Sequence, residues 1–284
     1  TLRDDARNRD VTATVCMSGL SQQDLYVFAH GGGLYAADYE YLCDGKFPGV
    51  VARLVSPTND DPMDLIPMAR DVLFLAQALP QQSIDNASSP LHGRLTTAVV
   101  LAGHSMGGAA VLLAGAEAPE AVKAVAAIAP GFWGPQQSEL LEQIHAKGMG
   151  SGLCRVPYLQ VAGDQDCANS LALQALSIWS NSTSACGTLQ VPRALAVLTG
   201  ATHCQWTTPV LGSCTFDKPC PAPRLQRGKQ QQLGLSLLAA LGQGRMEEEL
   251  HGMGGQLAFV DQTAKEADLR KLKSYCPCGS ELTV

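Results

Sequence analysis

The sequence predicts a three-layer α/β domain in which helices cover both faces of a mostly parallel sheet. Three observations carry this expectation. Short runs rich in Val, Leu and Ala alternate along the chain with helical patterns. Those runs are apolar throughout instead of alternating with polar residues, which implies burial on both faces and helices as the connections. With 284 residues, 46% of them hydrophobic and 16% charged, the chain can bury such a core, and disorder is excluded for most of it.

Taken in order, residues 11–16 are the first expected strand. Residues 25–29 are a second, ending at His30-Gly31-Gly32-Gly33, and 50–55 a third, closed by Ser56-Pro57. From Asp64 onward, Leu65, Met68, Ala69, Val72, Leu73, Ala76 and Leu79 recur at three- and four-residue steps, the signature of one buried helix face. A strand over 98–101 then leads into a helix from Met106 to about Gly115. Further strands are expected over 122–128, 158–162 and 194–198, and a Gln-rich helix from about Gln230 to Leu241. After Gly242 the composition changes. A Gly-Gln-Gly stretch, the acidic run 247–249 and Gly252-Met253-Gly254-Gly255 read as a linker, followed by a short charged helix over 262–274 that ends at Cys276-Pro277-Cys278. This divides the chain into a main α/β domain over 1–243 and a linker with a disulfide-tethered tail over 244–284.

Charge and cysteine content narrow the function classes. The net charge is −6 and no Lys/Arg-rich run occurs, which argues against nucleic acid and polybasic membrane partners. The apolar stretch 98–116 is long enough to span a bilayer. Its four glycines and its central His104-Ser105 instead fit a buried strand, a tight turn and a buried helix, so no transmembrane segment is expected. The chain starts at Thr1 without an apolar leader, which suggests numbering from a mature terminus. Ten scattered cysteines predict disulfides and an oxidising compartment. The sequons Asn86-Ala87-Ser88 and Asn181-Ser182-Thr183 agree with that setting. Paired zinc spacing is missing, so no metal is expected.

Gly103-His104-Ser105-Met106-Gly107 carries the chemistry. It matches G-x-S-x-G between a predicted strand and a predicted helix, a turn so tight that a side chain at either glycine would collide with its neighbours. The serine stands at the start of the helix, where the Met106 N–H can face an oxyanion. A serine hydroxyl needs a base, and the base an orienting carboxylate. His203 follows the strand 194–198 through Thr199-Gly200-Ala201-Thr202 and is the expected base; His251 has no strand before it and His145 lies in a helical pattern. The strand 158–162 runs into Gly163-Asp164-Gln165-Asp166, which offers two acids. Asp166 is preferred because it sits deeper in the loop, and Asp164 is the alternative, expected to cap the turn. The glycines after His30 allow a second N–H to approach a tetrahedral intermediate, from Gly32 first and Gly33 second, with His30 orienting the loop. Gly33 and His104 are also expected at the substrate.

Together these elements resemble the α/β-hydrolase superfamily over roughly residues 11–242. Within it they are similar to the esterases that include cutinases and polyester hydrolases, dienelactone-hydrolase-like proteins and chlorophyllases. The resemblance rests on His30-Gly31-Gly32, Gly103-His104-Ser105-Met106-Gly107-Gly108, Val156-Pro157 leading to Asp166, and Gly200-Ala201-Thr202-His203. It implies an α/β-hydrolase fold and carboxylic-ester hydrolysis without a cofactor. The segment from Val122 through Ala129-Pro130 to Trp133 resembles the polyester-hydrolase pattern and implies Trp133 as a substrate contact. Cys167 follows Asp166 and Cys204 follows His203, so a Cys167–Cys204 disulfide is expected, similar to a bridge in some polyester hydrolases.

Only a short segment separates Pro130 from the next strand, with room for one helix over 139–147. No large lid domain is expected, and an open cleft would admit a bulky or polymeric ester. The sequence reading is therefore a monomeric serine esterase acting on a small-molecule or polymeric ester. It would be secreted or in another oxidising compartment. The alternatives are a chlorophyllase in a chloroplast, cleaving the phytyl ester of chlorophyll, and a non-catalytic receptor that keeps the fold.

Overall fold

The structure, a computed structural model, describes residues 1–19, 22–55, 65–117, 120–131, 152–169, 174–184, 186, 191–208, 214–217, 220, 222–253 and 257–261. In chain order the strands are β1 (Leu2–Asp4), β2 (Arg9–Cys16), β3 (Gln23–Ala29), β4 (Val50–Val55), β5 (Leu95–His104), β6 (Val122–Ile128), β7 (Tyr158–Gly163), β8 (Arg193–Leu198) and β9 (Leu257–Asp261). The α-helices are α1 (Leu65–Asp85), α2 (Met106–Ala116), α3 (Leu176–Ser184), α4 (Arg227–Gly242) and α5 (Met246–Gly252); 3-10 helices cover Ala36–Cys43 and Cys204–Trp206.

Among the described residues the strands form one nine-stranded sheet ordered β1-β2-β4-β3-β5-β6-β7-β8-β9. From β4 to β8 every neighbouring pair is parallel. The antiparallel pairs lie at the edges, β1–β2–β4 on one side and β8–β9 on the other.

The continuous apolar strands face two cores. Along β5, Val99 and Leu101 point into a cluster with Val72, Leu75 and Leu112 of α1 and α2, and with Ile178 and Trp179 of α3. Val100 and Ala102 point the other way, into a cluster with Leu233, Leu237 and Leu241 of α4 and Leu250 of α5. Successive side chains alternate between faces, so a strand covered on both sides has no polar position to spare. The stretch read as a possible bilayer span resolves into β5, a turn and α2. Among the described residues no helix is long and apolar enough to cross a membrane.

Two expectations change. The acidic run 247–249 lies in α5, whose Met246 and Leu250 are buried in the second core, so this stretch is not a linker. The sheet also runs past the expected boundary at residue 243, because β9 pairs with β8 from Leu198↔Leu257 to Ala194↔Asp261. Gly, Gln and Glu obscured the helix because only one turn-spaced pair of its residues, Met246 and Leu250, faces the core. The charged helix expected over 262–274 and the Cys276-Pro277-Cys278 end lie outside the described residues.

Candidate active site

At Ser105 the chain turns from β5 into α2 with φ 56° and ψ −121°. A non-glycine residue with positive φ is strained by about 1–3 kcal/mol, which surrounding contacts must offset. Those contacts need the flanking glycines. A Cβ on Gly103 would lie 2.2 Å from the Gly107 carbonyl oxygen, and one on Gly107 2.2 Å from that of Ala29. The backbone of Ser105 is held by its own N–H donating to Ile128 O at 2.9 Å and its carbonyl accepting from Gly131 N–H at 3.1 Å.

Three of the expected side chains meet. His203 Nε2 lies 2.9 Å from Ser105 Oγ, and His203 Nδ1 2.8 Å from Asp166 Oδ2. All three are almost wholly buried, with 2% of Ser105, 0% of His203 and 1% of Asp166 exposed. Asp166 Oδ1 accepts the Asn169 N–H at 2.8 Å, so both carboxylate oxygens are engaged. Asp164 instead accepts the Gly200 N–H at 2.6 Å and ties the β7 loop to the His203 loop. Burial lowers the His203 pKa, but the charge and hydrogen bond of Asp166, joined by the charge of Asp217, outweigh it and leave the imidazole above its ordinary value of 6.5.

The glycine loop presses against the serine. A Cβ on Gly31 would sit 2.8 Å from Leu34 Cδ1 and 3.1 Å from Ser105 Cβ. The Gly31 N–H already donates to Tyr39 Oη at 3.0 Å, which leaves the turn that follows, Gly32 and Gly33, as the place for a donor. Gly33 is exposed with φ +66° at the turn's tip. Met106 is the first residue of α2, so its N–H has no partner inside the helix and carries the positive end of the helix dipole. His30 is buried and its Nδ1 lies 2.9 Å from Gly31 O, with burial depressing its pKa.

His104, expected at the substrate, is wholly buried: its ring lies 4.7 Å from that of His203, and its Nδ1 is 2.8 Å from Tyr39 Oη. Burial, then the neighbouring His203, pushes its pKa well below 6.5, so it is neutral. Trp133 and the 139–147 segment lie outside the described residues. Trp206 is core, wedged against Gly234 of α4.

The disulfide expectation is corrected. Cys167 bridges Cys220 and Cys204 bridges Cys214, with Cα–Cα distances of 5.6 and 5.5 Å. Contact between the Asp166 and His203 side chains does not by itself bring the next residues' Cβ atoms within disulfide range. The chain beyond His203 supplies a nearer sulfur to each. Cys16–Cys43 and Cys154–Cys186 are also bridged, and four such bridges fit an oxidising compartment. Asn86 is exposed in a turn after α1, whereas Ser182 of the second sequon is buried in α3.

Three residues of the site had no sequence signal strong enough to be singled out. Tyr39 bridges Gly31 to His104, Asn169 holds Asp166, and Asp217 accepts the N–H groups of His203 and Cys204 at 3.0 and 2.8 Å. Only Asn169 left a trace, three residues after an Asp in a turn. Among the described residues no group of three or more His, Cys, Asp or Glu side chains could hold a metal ion.

A strained serine between a parallel strand and a helix, in a sheet of this order, defines the α/β-hydrolase fold. In agreement, the family model described as Hydrolase_4: serine aminopeptidase, S33, matches residues 81–177, a stretch that holds Ser105 and Asp166. The match supports the superfamily and a hydrolase activity. No curated protein matches the chain.

Proposed function

We propose that this chain is a serine carboxylic-ester hydrolase working through an acyl-enzyme. The observation that carries the reading is the buried relay Asp166–His203–Ser105, with heavy-atom distances of 2.8 and 2.9 Å. In this reading Ser105 Oγ attacks the ester carbonyl carbon and its proton passes to His203 Nε2. Asp166 stabilises the imidazolium and fixes its tautomer. The N–H groups of Met106 and Gly32 receive the oxyanion. When the tetrahedral intermediate collapses, His203 returns the proton to the leaving alcohol; water, activated by the same imidazole, then releases the acid. Tyr35, just past the glycine loop, and Phe216, edge-on to the His203 ring at 5.7 Å, keep large apolar surfaces exposed, which supports a bulky or apolar ester. The disulfides support a secreted enzyme.

The test is a fluorophosphonate probe together with a substrate panel: p-nitrophenyl esters of graded chain length, a polyester film, chlorophyll and aminoacyl p-nitroanilides. Labelling at Ser105 and turnover of the apolar esters are expected. Chlorophyllide release alone would favour a chlorophyllase. Turnover confined to the anilides would replace the ester reading with the activity named in the matched family. A chain that neither labels nor turns over any substrate would be a non-catalytic member of the fold.

The proposed base also sets a pH dependence. It must be neutral to accept the serine proton, and Asp166 and Asp217 lift its pKa above 6.5 against the effect of burial. kcat/KM is therefore expected to fall as pH drops through a midpoint above 6.5. A profile flat down to pH 5 would remove His203 as the base.

A further inference from the structure

After His203, the described residues 214–217 and 220 are bonded to both loops of the relay. Cys214 is bridged to Cys204, next to His203, and Cys220 to Cys167, next to Asp166. Between those anchors Asp217 aims its carboxylate at the His203 loop, Oδ1 accepting the His203 N–H at 3.0 Å and Oδ2 the Cys204 N–H at 2.8 Å. The turn is closed by Cys220 N–H donating to Asp217 O at 3.0 Å, and Phe216 lays its ring edge-on to the imidazole. The direct bridge expected from the sequence is thus replaced by a strap with a carboxylate at its middle.

We propose that Asp217 is a positioning residue for His203, fixing the backbone of residues 203 and 204 from a strap that is disulfide-bonded to both the acid loop and the base loop. This rests on the esterase reading above and adds a second carboxylate to it. The other supports of the His203 loop hold residues further back. Gln230 of α4 accepts the Thr202 N–H at 3.1 Å and donates to Thr202 O at 2.8 Å, and Asp164 caps Gly200. Asp217 alone among these grips the main chain of the base itself.

Its negative charge has a second effect. The polar and titratable groups facing the His203 ring are Asp166 at Nδ1, Ser105 at Nε2, the neutral His104 whose ring is tilted against it, and Asp217 from the strap. Of these, Asp166 and Asp217 favour the imidazolium. Removing the Asp217 charge lowers the His203 pKa, and the neutral base then persists to lower pH.

The experiment is the rate of fluorophosphonate labelling at Ser105 against pH, for wild type, Asp217→Asn and Asp217→Ala, with a melting curve for each. Asp217→Ala is expected to label about 10–100-fold more slowly at its optimum, the scale of a misplaced reacting group. Asp217→Asn keeps an accepting oxygen but not the charge, so it loses less rate while its acid-side midpoint moves to lower pH. Should Asp217→Ala fail to fold, Asp217→Asn decides by its midpoint, which a purely structural bond would leave in place. Variants with the wild-type rate and midpoint overturn the proposal. A wild type that does not label at Ser105 instead overturns the esterase reading.

Discussion

Ser105→Ala is expected to abolish fluorophosphonate labelling and to lower kcat/KM on the best ester by about 10³–10⁶-fold while leaving the fold intact. The reason for expecting an unchanged fold is local. Alanine keeps the Cβ, so the strained φ of 56° and its supporting bonds to Ile128 and Gly131 are retained. What is lost is the hydroxyl at His203 Nε2, while the imidazole stays hydrogen-bonded to Asp166 through Nδ1. Any residual turnover would come from binding and the oxyanion donors alone, and removing one such donor typically costs about 2.7–4 kcal/mol. Ester turnover within tenfold of wild type, with an unchanged melting curve, would show that another group is the nucleophile.

The sequence carried the fold because both-sided burial writes itself into composition. β4 and β6 match their expected spans, and α2 begins at Met106 as expected, since an apolar run bounded by turn residues has few other places to go. α1 continues through the buried Pro80 to Asp85, beyond the last periodic residue at Leu79, because packing outweighs a lost backbone bond there. The elbow was legible for a steric reason, as Gly103 and Gly107 stand where any Cβ would strike backbone. Tyr39, Asn169 and Asp217 were not. Tyr39 and Asp217 act through hydrogen bonds to groups far along the chain, which no local spacing betrays, and Asn169 holds Asp166 through its main-chain N–H, which any residue but proline could supply. The cysteine pairing failed similarly: adjacency to the relay located two sulfurs, but the path of the following chain decided their partners.

Gly107→Ala is expected to destabilise the protein by about 3 kcal/mol or more, at the upper end of overpacking costs, and to slow labelling of Ser105 together with it. Its new methyl group would stand 2.2 Å from Ala29 O and 2.5 Å from His30 O, both backbone atoms at the end of β3. No rotamer change can relieve that contact. The end of β3 would have to retreat from α2, and it carries the glycine loop that presses on Ser105, so the oxyanion geometry would widen with it. Gly228→Ala is the matched control. Gly228 lies in the exposed first turn of α4 with nothing within 4 Å of an added Cβ, so alanine should stabilise by about 0.4–1 kcal/mol through the unfolded chain. Chemical denaturation of the two variants separates a steric requirement from a general preference against glycine. If Gly107→Ala unfolded at the wild-type denaturant concentration, the tight approach of α2 to β3 would not be what holds the serine in place.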